Sequence, residues 1–241
     1  MILRFTQCLM ASLLLSALST QISLAQPLFE AVYEGEYSNF NITMTRTLNG
    51  EKGQYTLDSK AKSFMAKIDE RSEFNLEGDH LRPKSYGYER KIFGVKKRED
   101  LAFDWKARTA TYTKNGDREG QQRLKAGMLD PTLYQLQLQR DLAANPKQKD
   151  FNYTFIRRNQ TKTYDFKRTD DGTIALGDKQ YSAIVVVRAD DSKKETRLWL
   201  IPELDYVLAK IRHTDEDGDT YEVLLKRYSG SKAFSQFLTD S

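Results

Sequence analysis

Asp130-Pro131-Thr132-Leu133-Tyr134-Gln135-Leu136-Gln137-Leu138-Gln139-Arg140-Asp141-Leu142-Ala143-Ala144 is the stretch that decides the fold. Asp130 is suited to cap a helix, Pro131 to open it at the first helical position, and Asn145-Pro146 to stop it. These signals predict a helix over 132–144. At roughly 100° per residue, Leu133, Leu136 and Ala143 fall on one side. Tyr134, Leu138 and Leu142 fall on nearly the opposite one. A helix lying on a sheet needs one apolar stripe. Two stripes predict a helix touched from both sides, tucked into the concavity of a curved sheet. A weaker helical piece is predicted from Ser63 to Asp69, where Phe64, Met65 and Ile68 share a face.

Away from this stretch the dominant period is two. Phe29, Ala31, Tyr33 and Tyr37 alternate with Glu30, Glu34 and Glu36, and Tyr55, Leu57, Ser59 and Ala61 with Thr56, Asp58 and Lys60. Tyr86, Tyr88 and Arg90 continue the pattern, as do Leu101, Phe103 and Trp105, Tyr206–Ile211 and Tyr221–Leu225. Such alternation marks strands with one face on a core. Asn49-Gly50, Asn115-Gly116, Asp171-Gly172 and Asp217-Gly218 supply the positive-φ residues of tight hairpin turns. About ten strands are expected, mostly consecutive antiparallel neighbours. The expected architecture is mainly β: a single domain over 26–228, built as a long curved antiparallel sheet or unclosed β-barrel with one main α-helix packed in or across it. Residues 229–241 are expected to form a flexible C-terminal tail.

Residues 1–25 have the layout of a secretory signal peptide. Arg4 gives a positive start, Leu9–Ile22 is an uncharged apolar run, and Ser23-Leu24-Ala25 ends it with small residues. The run is too short and too interrupted by Ser and Thr for a spanning helix, which needs about 20 apolar residues. Cleavage would leave a chain starting at Gln26, exported to the periplasm. Cys8, the only cysteine, would leave with the signal; Phe5-Thr6-Gln7 before it do not form a lipobox, so a lipoprotein is not expected. With Arg4 removed, 37 basic residues face 34 acidic ones, which is too balanced to point to nucleic acid.

Most catalytic chemistries find no pattern. His80 and His213 are far apart and neither has a second strong ligand at metal spacing, so no metal site is expected. Asp215-Glu216-Asp217-Gly218-Asp219 resembles a calcium loop only in charge. With Gly218 sixth, His213 would be first and Leu224 twelfth, where ligands are required, which leaves a charged hairpin tip. No Gly-x-Ser-x-Gly elbow and no Gly-rich phosphate loop is present, and no cofactor is implied. Scattered carboxylates could still converge in a fold.

Two features point toward binding. Arg90–Arg98 is basic around an apolar centre; Lys91, Phe93, Lys96, Lys97 and Arg98 are candidates for contact with an envelope protein or an anionic membrane surface. The competing reading is a hairpin whose Ile92 and Val95 pack inward while the lysines reach out to water. The second feature is a set of large side chains on strand faces, Trp105, Tyr112, Trp199, Tyr206 and Tyr221, with Phe64 and Met65 nearby. Trp199, Tyr206, Trp105, Phe64, Met65 and Leu138 are candidates to line a ligand space between sheet and helix; plain core is the alternative. Trp199 and Ile201 point to one face of their strand and Leu198 and Leu200 to the other, so that strand should be covered on both sides.

Leu198-Trp199-Leu200-Ile201-Pro202-Glu203-Leu204-Asp205-Tyr206-Val207-Leu208-Ala209-Lys210-Ile211 resembles the closing motif of a family of exported bacterial proteins, domain of unknown function 3108. Phe29–Tyr33, Arg71–Phe74 with Leu81-Arg82-Pro83, Leu101–Trp105 and Asp130–Leu136 are similar to its earlier landmarks, in order. Ile201 and Leu208 depart from the Ala and Pro usual at those positions, both conservatively for a strand. The resemblance implies no activity and no catalytic residues. It does imply an architecture like that of periplasmic lipoprotein carriers, an unclosed barrel with helices in the opening. The functional expectation is a non-catalytic periplasmic binding protein for an apolar or amphipathic, lipid-like ligand. The alternatives are a structural or assembly factor of the cell envelope and a carboxylate-dependent hydrolase of envelope glycan or lipid.

Overall fold

The computed structural model describes residues 26–37, 40–189 and 194–240; the predicted signal peptide lies outside the described residues. The strands are β1 Phe29–Tyr37, β2 Phe40–Glu51, β3 Gln54–Lys62, β4 Ala66–Glu77, β5 His80–Ile92, β6 Val95–Asp104, β7 Thr109–Lys114 and β8 Asp117–Arg123. After helix α1, Leu133–Ala144, come β9 Asp150–Arg157, β10 Gln160–Arg168, β11 Gly172–Leu176, β12 Lys179–Arg188, β13 Glu195–Ile201, β14 Val207–Thr214 and β15 Thr220–Gly230, then helix α2, Lys232–Thr239. Fifteen strands replace the ten or so expected. The difference lies in polar strands such as β8, Asp-Arg-Glu-Gly-Gln-Gln-Arg, which has no apolar side chain to alternate.

The sheet runs β8-β7-β6-β5-β4-β3-β2-β1-β15-β14-β13-β12-β10-β9, with β11 paired only to β12. β1 closes the two halves by pairing antiparallel with both β2 and β15. The ends of the sheet meet without a ladder. One parallel bridge joins Leu129 to Phe155, and Gln122 Nε2 donates to Asn159 O at 3.1 Å. The result is a large antiparallel sheet nearly closed into a barrel with an unsealed seam, as the alternating pattern predicted.

Helix α1 fills the interior. Leu133, Leu136, Leu138 and Leu142 are all buried in the main core with Phe74, Phe166, Leu198 and Leu225 from distant parts of the sheet. Its polar residues are also enclosed and reach strand ends and turns. Arg46 donates to Gln135, Gln137 accepts from Leu81 N and donates to Asp79 O, and Gln139 donates to Tyr206 O. The two apolar stripes therefore mean a helix surrounded on every side. The helix starts at Leu133, and Thr132 at its cap position makes no capping bond. Asp130 performs the capping from further out, its Oδ1 accepting from Thr132 N at 2.9 Å and Leu133 N at 3.0 Å.

Several expectations are corrected. Residues from Ser229 onward do not form a loose tail. α2 buries Phe234, Phe237 and Leu238 against Phe29 and Tyr55, and two of its end carbonyls, Phe237 O and Asp240 O, accept from the Arg140 guanidinium. The helix expected over Ser63–Asp69 is the turn into β4, because pairing with β3 on one side and β5 on the other outweighs three apolar residues at helical spacing. Asn49-Gly50 lies inside β2, and the turn falls at Lys52-Gly53, where both φ angles are positive. Asp171-Gly172 leads into β11 and makes no hairpin between β10 and β11, since both pair with β12. Asn115-Gly116 and Gly218 do make tight turns.

Candidate functional site

The proposed ligand wall is not assembled. Trp199 lies half-buried on the outer face of β13, beside Gly172 of β11, with the Lys210 ammonium 5.0 Å from its ring centre. Leu198 and Leu200 take the inner face and are fully buried. This strand is indeed covered on both sides, but Trp199 faces away from the barrel interior. Tyr206 is a turn residue with φ 53°, and Trp105 sits just past β6, its indole N–H donating to Pro83 O at 2.6 Å. Phe64 is 92% exposed at a hairpin tip beside Met65, while Leu138 is core. Apart from the neighbours Phe64 and Met65, these residues occupy separate places because strand parity and turn position, which a sequence reading has to guess, decide where each points.

The basic stretch forms the β5–β6 hairpin. Its charges are largely met: Lys96 pairs with Glu89, Lys97 with Glu99, and Arg98 with Asp100. Lys91 and Phe93 are exposed. Val95, expected to pack inward, is 73% exposed.

Another set of residues converges instead. On the inner face, at the N-terminal end of α1, a cleft of about 180 Å³ is lined by Glu70, Tyr86, Tyr88, Glu99, Tyr134, Phe155, Arg157, Arg158 and Tyr164, with Pro131 at its edge. β4, β5 and β6 supply one wall, and β9, β10 and the turn after β9 the other, across the seam. Tyr134 anchors the floor, stacked on Phe155 with ring centres 5.5 Å apart and edge-on to Tyr164 at 5.8 Å. The Arg188 guanidinium covers the other ring, 3.8 Å from the Tyr164 centre.

Charges in the cleft are held in place. Tyr86 Oη donates to Glu70 Oε1 at 2.5 Å. Burial pushes the Glu70 carboxyl above the usual carboxylate range, against the pull of the Tyr86 hydroxyl, Arg46 and Arg157. Burial also raises Tyr86, with Glu70 adding to the effect, and raises Tyr134 to about 12. Glu99 moves the other way: burial pushes it up, but Lys97 and Arg158, whose Nε is 3.2 Å from Glu99 Oε2, hold it low. The cleft thus offers hydroxyl and guanidinium donors and carboxyl acceptors between aromatic walls.

The sequence carried a signal for these residues that periodicity counts pass over. Arg46, Glu70 and Glu99 are charged residues in the inward register of their strands, where such placements are costly unless paired, and Arg157 continues the inward register of β9 to its exposed end. Larger hollows among the described residues include two on the outside. One of about 640 Å³ runs over the outer face around Gly87, lined by Asp58, Arg71, Arg98 and Asp100, which pair with one another. Another, about 520 Å³, opens beside Trp105.

Fold and cleft together define a class, an unclosed antiparallel barrel plugged by a helix and carrying a polar aromatic cleft at the helix start. The chain belongs to the family described as Protein of unknown function (DUF3108), which matches residues 31–226. No curated protein matches the chain.

Proposed function

We propose that the protein is a non-catalytic binding protein of the bacterial periplasm, taking the polar end of an amphipathic, lipid-like ligand into the cleft beside Tyr134. The observation that carries this reading is the cleft on the inner face, where four tyrosines converge with Glu70 and Arg157. Space along the helix is occupied by its own leucines and glutamines, so the ligand belongs at the helix start. A cleft of about 180 Å³ is smaller than the ~300–1,000 Å³ of sites that enclose a whole ligand, which suits a headgroup with its chain left outside. The leader-like residues 1–25 support export, and no helix among the described residues is long and apolar enough to cross a membrane.

Native mass spectrometry of protein purified from its own periplasm tests the reading. A bound amphiphile is expected on the wild type and depleted in Arg157→Glu; a wild type that carries no adduct and binds no fluorescent amphiphile ends it. One observation favours the hydrolase alternative. Glu70 and Glu99 face the same cleft with their carboxyl groups pushed in opposite directions, the arrangement of an acid and a base. Turnover of an envelope glycan or lipid that disappears in Glu70→Gln would favour that alternative.

A further inference from the structure

Three hairpins, β1–β2, β3–β4 and β5–β6, turn at the same end of the sheet, roughly 10 Å apart at about 4.8 Å per strand. Register sets them level. Phe93 N donates to Met65 O at 3.1 Å, and Phe40 lies three positions beyond Thr43, the partner of Lys62. The next turn, at Asn115-Gly116, is set back because Lys114 pairs with Glu99. The β5–β6 tip therefore stands clear of that neighbour by the length of Val95–Arg98, about 13 Å.

Every large apolar side chain exposed among the described residues stands on these three tips: Phe64 at 92%, Phe93 and Val95 at 73%, and Phe40 at 39%. Elsewhere the sheet buries its apolar residues or faces water with charge. Phe93 is also conformationally costly. It holds φ 48° beside Gly94 at 82°, in a turn that the neighbouring hairpin builds with Asn115 at 53° and Gly116 at 98°. Asn tolerates that region better than a bulky aromatic; Tyr206, also held there, packs against the core, whereas the exposed Phe93 ring recovers nothing by packing. Folding does not account for a phenylalanine there.

The surrounding charge is positive. Lys62, Arg90 and Lys91 have no ion pair among the described residues. Lys67 and Lys96 pair with Asp69 and Glu89, each at 2.8 Å, yet stay 63% and 60% exposed. Aromatic side chains with a basic surround match the chemistry of an anionic lipid surface, where rings enter the boundary between headgroups and acyl chains and lysines meet phosphates. We propose that this end of the barrel docks on anionic membranes through Phe64 and Phe93. The surface shares no residue with the cleft, so it stands or falls separately from ligand binding there.

The test is co-sedimentation of the purified protein with phosphatidylglycerol-containing vesicles and with pure phosphatidylcholine vesicles, at low and physiological salt. Wild type is expected to bind the anionic vesicles, more weakly as salt rises, and the neutral ones at least tenfold less. Phe64→Ala with Phe93→Ala should lower binding at least tenfold with an unchanged melting temperature. Phe64→Ser alone, at a position that packs on nothing, should lower it by a smaller factor. Phe93→Trp should shift its emission to the blue on anionic vesicles. No binding by the wild type, full binding by the double variant, or an unshifted Phe93→Trp in sedimenting protein overturns the proposal. The last outcome would mean that another surface meets the bilayer and that these tips serve a protein partner.

Discussion

Asp130 shows how a cap changes character when it is buried. An exposed cap contributes about 1 kcal/mol. Asp130 is fully buried and also accepts from the Thr132 hydroxyl at 3.0 Å, so its loss strands two backbone N–H groups and leaves that hydroxyl only its bond to Ser72. Burial raises its carboxyl from an ordinary 3.8 to about 6, even though the N–H groups of Thr132 and Leu133 favour the ionised form. The folded chain therefore keeps a proton where the unfolded chain has lost it. The contribution is full below pH 3.8 and is lost as pH rises to about 6, roughly 3 kcal/mol at 1.36 kcal/mol per unit. Asp130→Asn keeps the acceptor and should flatten this part of the stability curve. Asp130→Ala should flatten it too, but lie about 2–3 kcal/mol below the Asn variant throughout. Urea unfolding at pH 4, 5 and 6 measures both; equal slopes in wild type and Asp130→Asn would assign the titration elsewhere.

Helices α1 and α2 depend on each other. Arg140 is buried and finds its acceptors at the end of α2, while the Phe237 ring lies 5.0 Å from its guanidinium. A chain ending at Gly230 leaves that charge without its partners and bares Phe29 and Tyr55. Removing one partner of a buried charge costs about 3–5 kcal/mol, so this truncation should unfold or become insoluble rather than behave as a trimmed tail. Within α1, Gln137 joins the helix to the β4–β5 turn through Leu81 N at 2.9 Å and Asp79 O at 2.8 Å. Gln137→Leu keeps the size but strands both groups. A loss of about 2–4 kcal/mol is expected in thermal or urea melts, against under 1 kcal/mol for Gln160→Leu at an exposed position.

At the scale of the molecule, the seam is the weak line. β8 and β9 share no ladder: one bridge links Leu129, in the segment after β8, to Phe155 of β9, and Gln122 of β8 reaches Asn159 in the turn after β9, whereas β1 is laddered on both sides over nearly its whole length. Amide exchange should therefore be fastest in β8 and β11 and slowest in β1, β2 and β15, because local opening costs least where few backbone bonds must break. Uniform protection around the barrel would mean that the seam is sealed in solution. The same line forms one side of the cleft, where Arg158 reaches Glu99. Occupancy of the cleft should accordingly raise protection in β9 and β10 before it changes β1.

The fold class, the main helix and its enclosure, and family membership were legible in the residues themselves, because each rests on local period or on landmarks in order. Tyr33, Leu57, Leu101 and Leu225 announce an inner face by alternation, and Leu133–Leu142 announce a helix with no exposed side. The places of individual side chains were not legible. A turn shifted from Asn49-Gly50 to Lys52-Gly53, a turn at Tyr206 and the covering of Trp199 by β11 each moved a residue by one face or one end, and local pattern does not encode such shifts. The burial of α2 depended on a carbonyl partner for Arg140 from a part of the chain about a hundred residues away. The cleft lies furthest beyond the sequence, since Glu70, Glu99 and Arg157 meet only when the sheet curls until its two ends face each other across the seam.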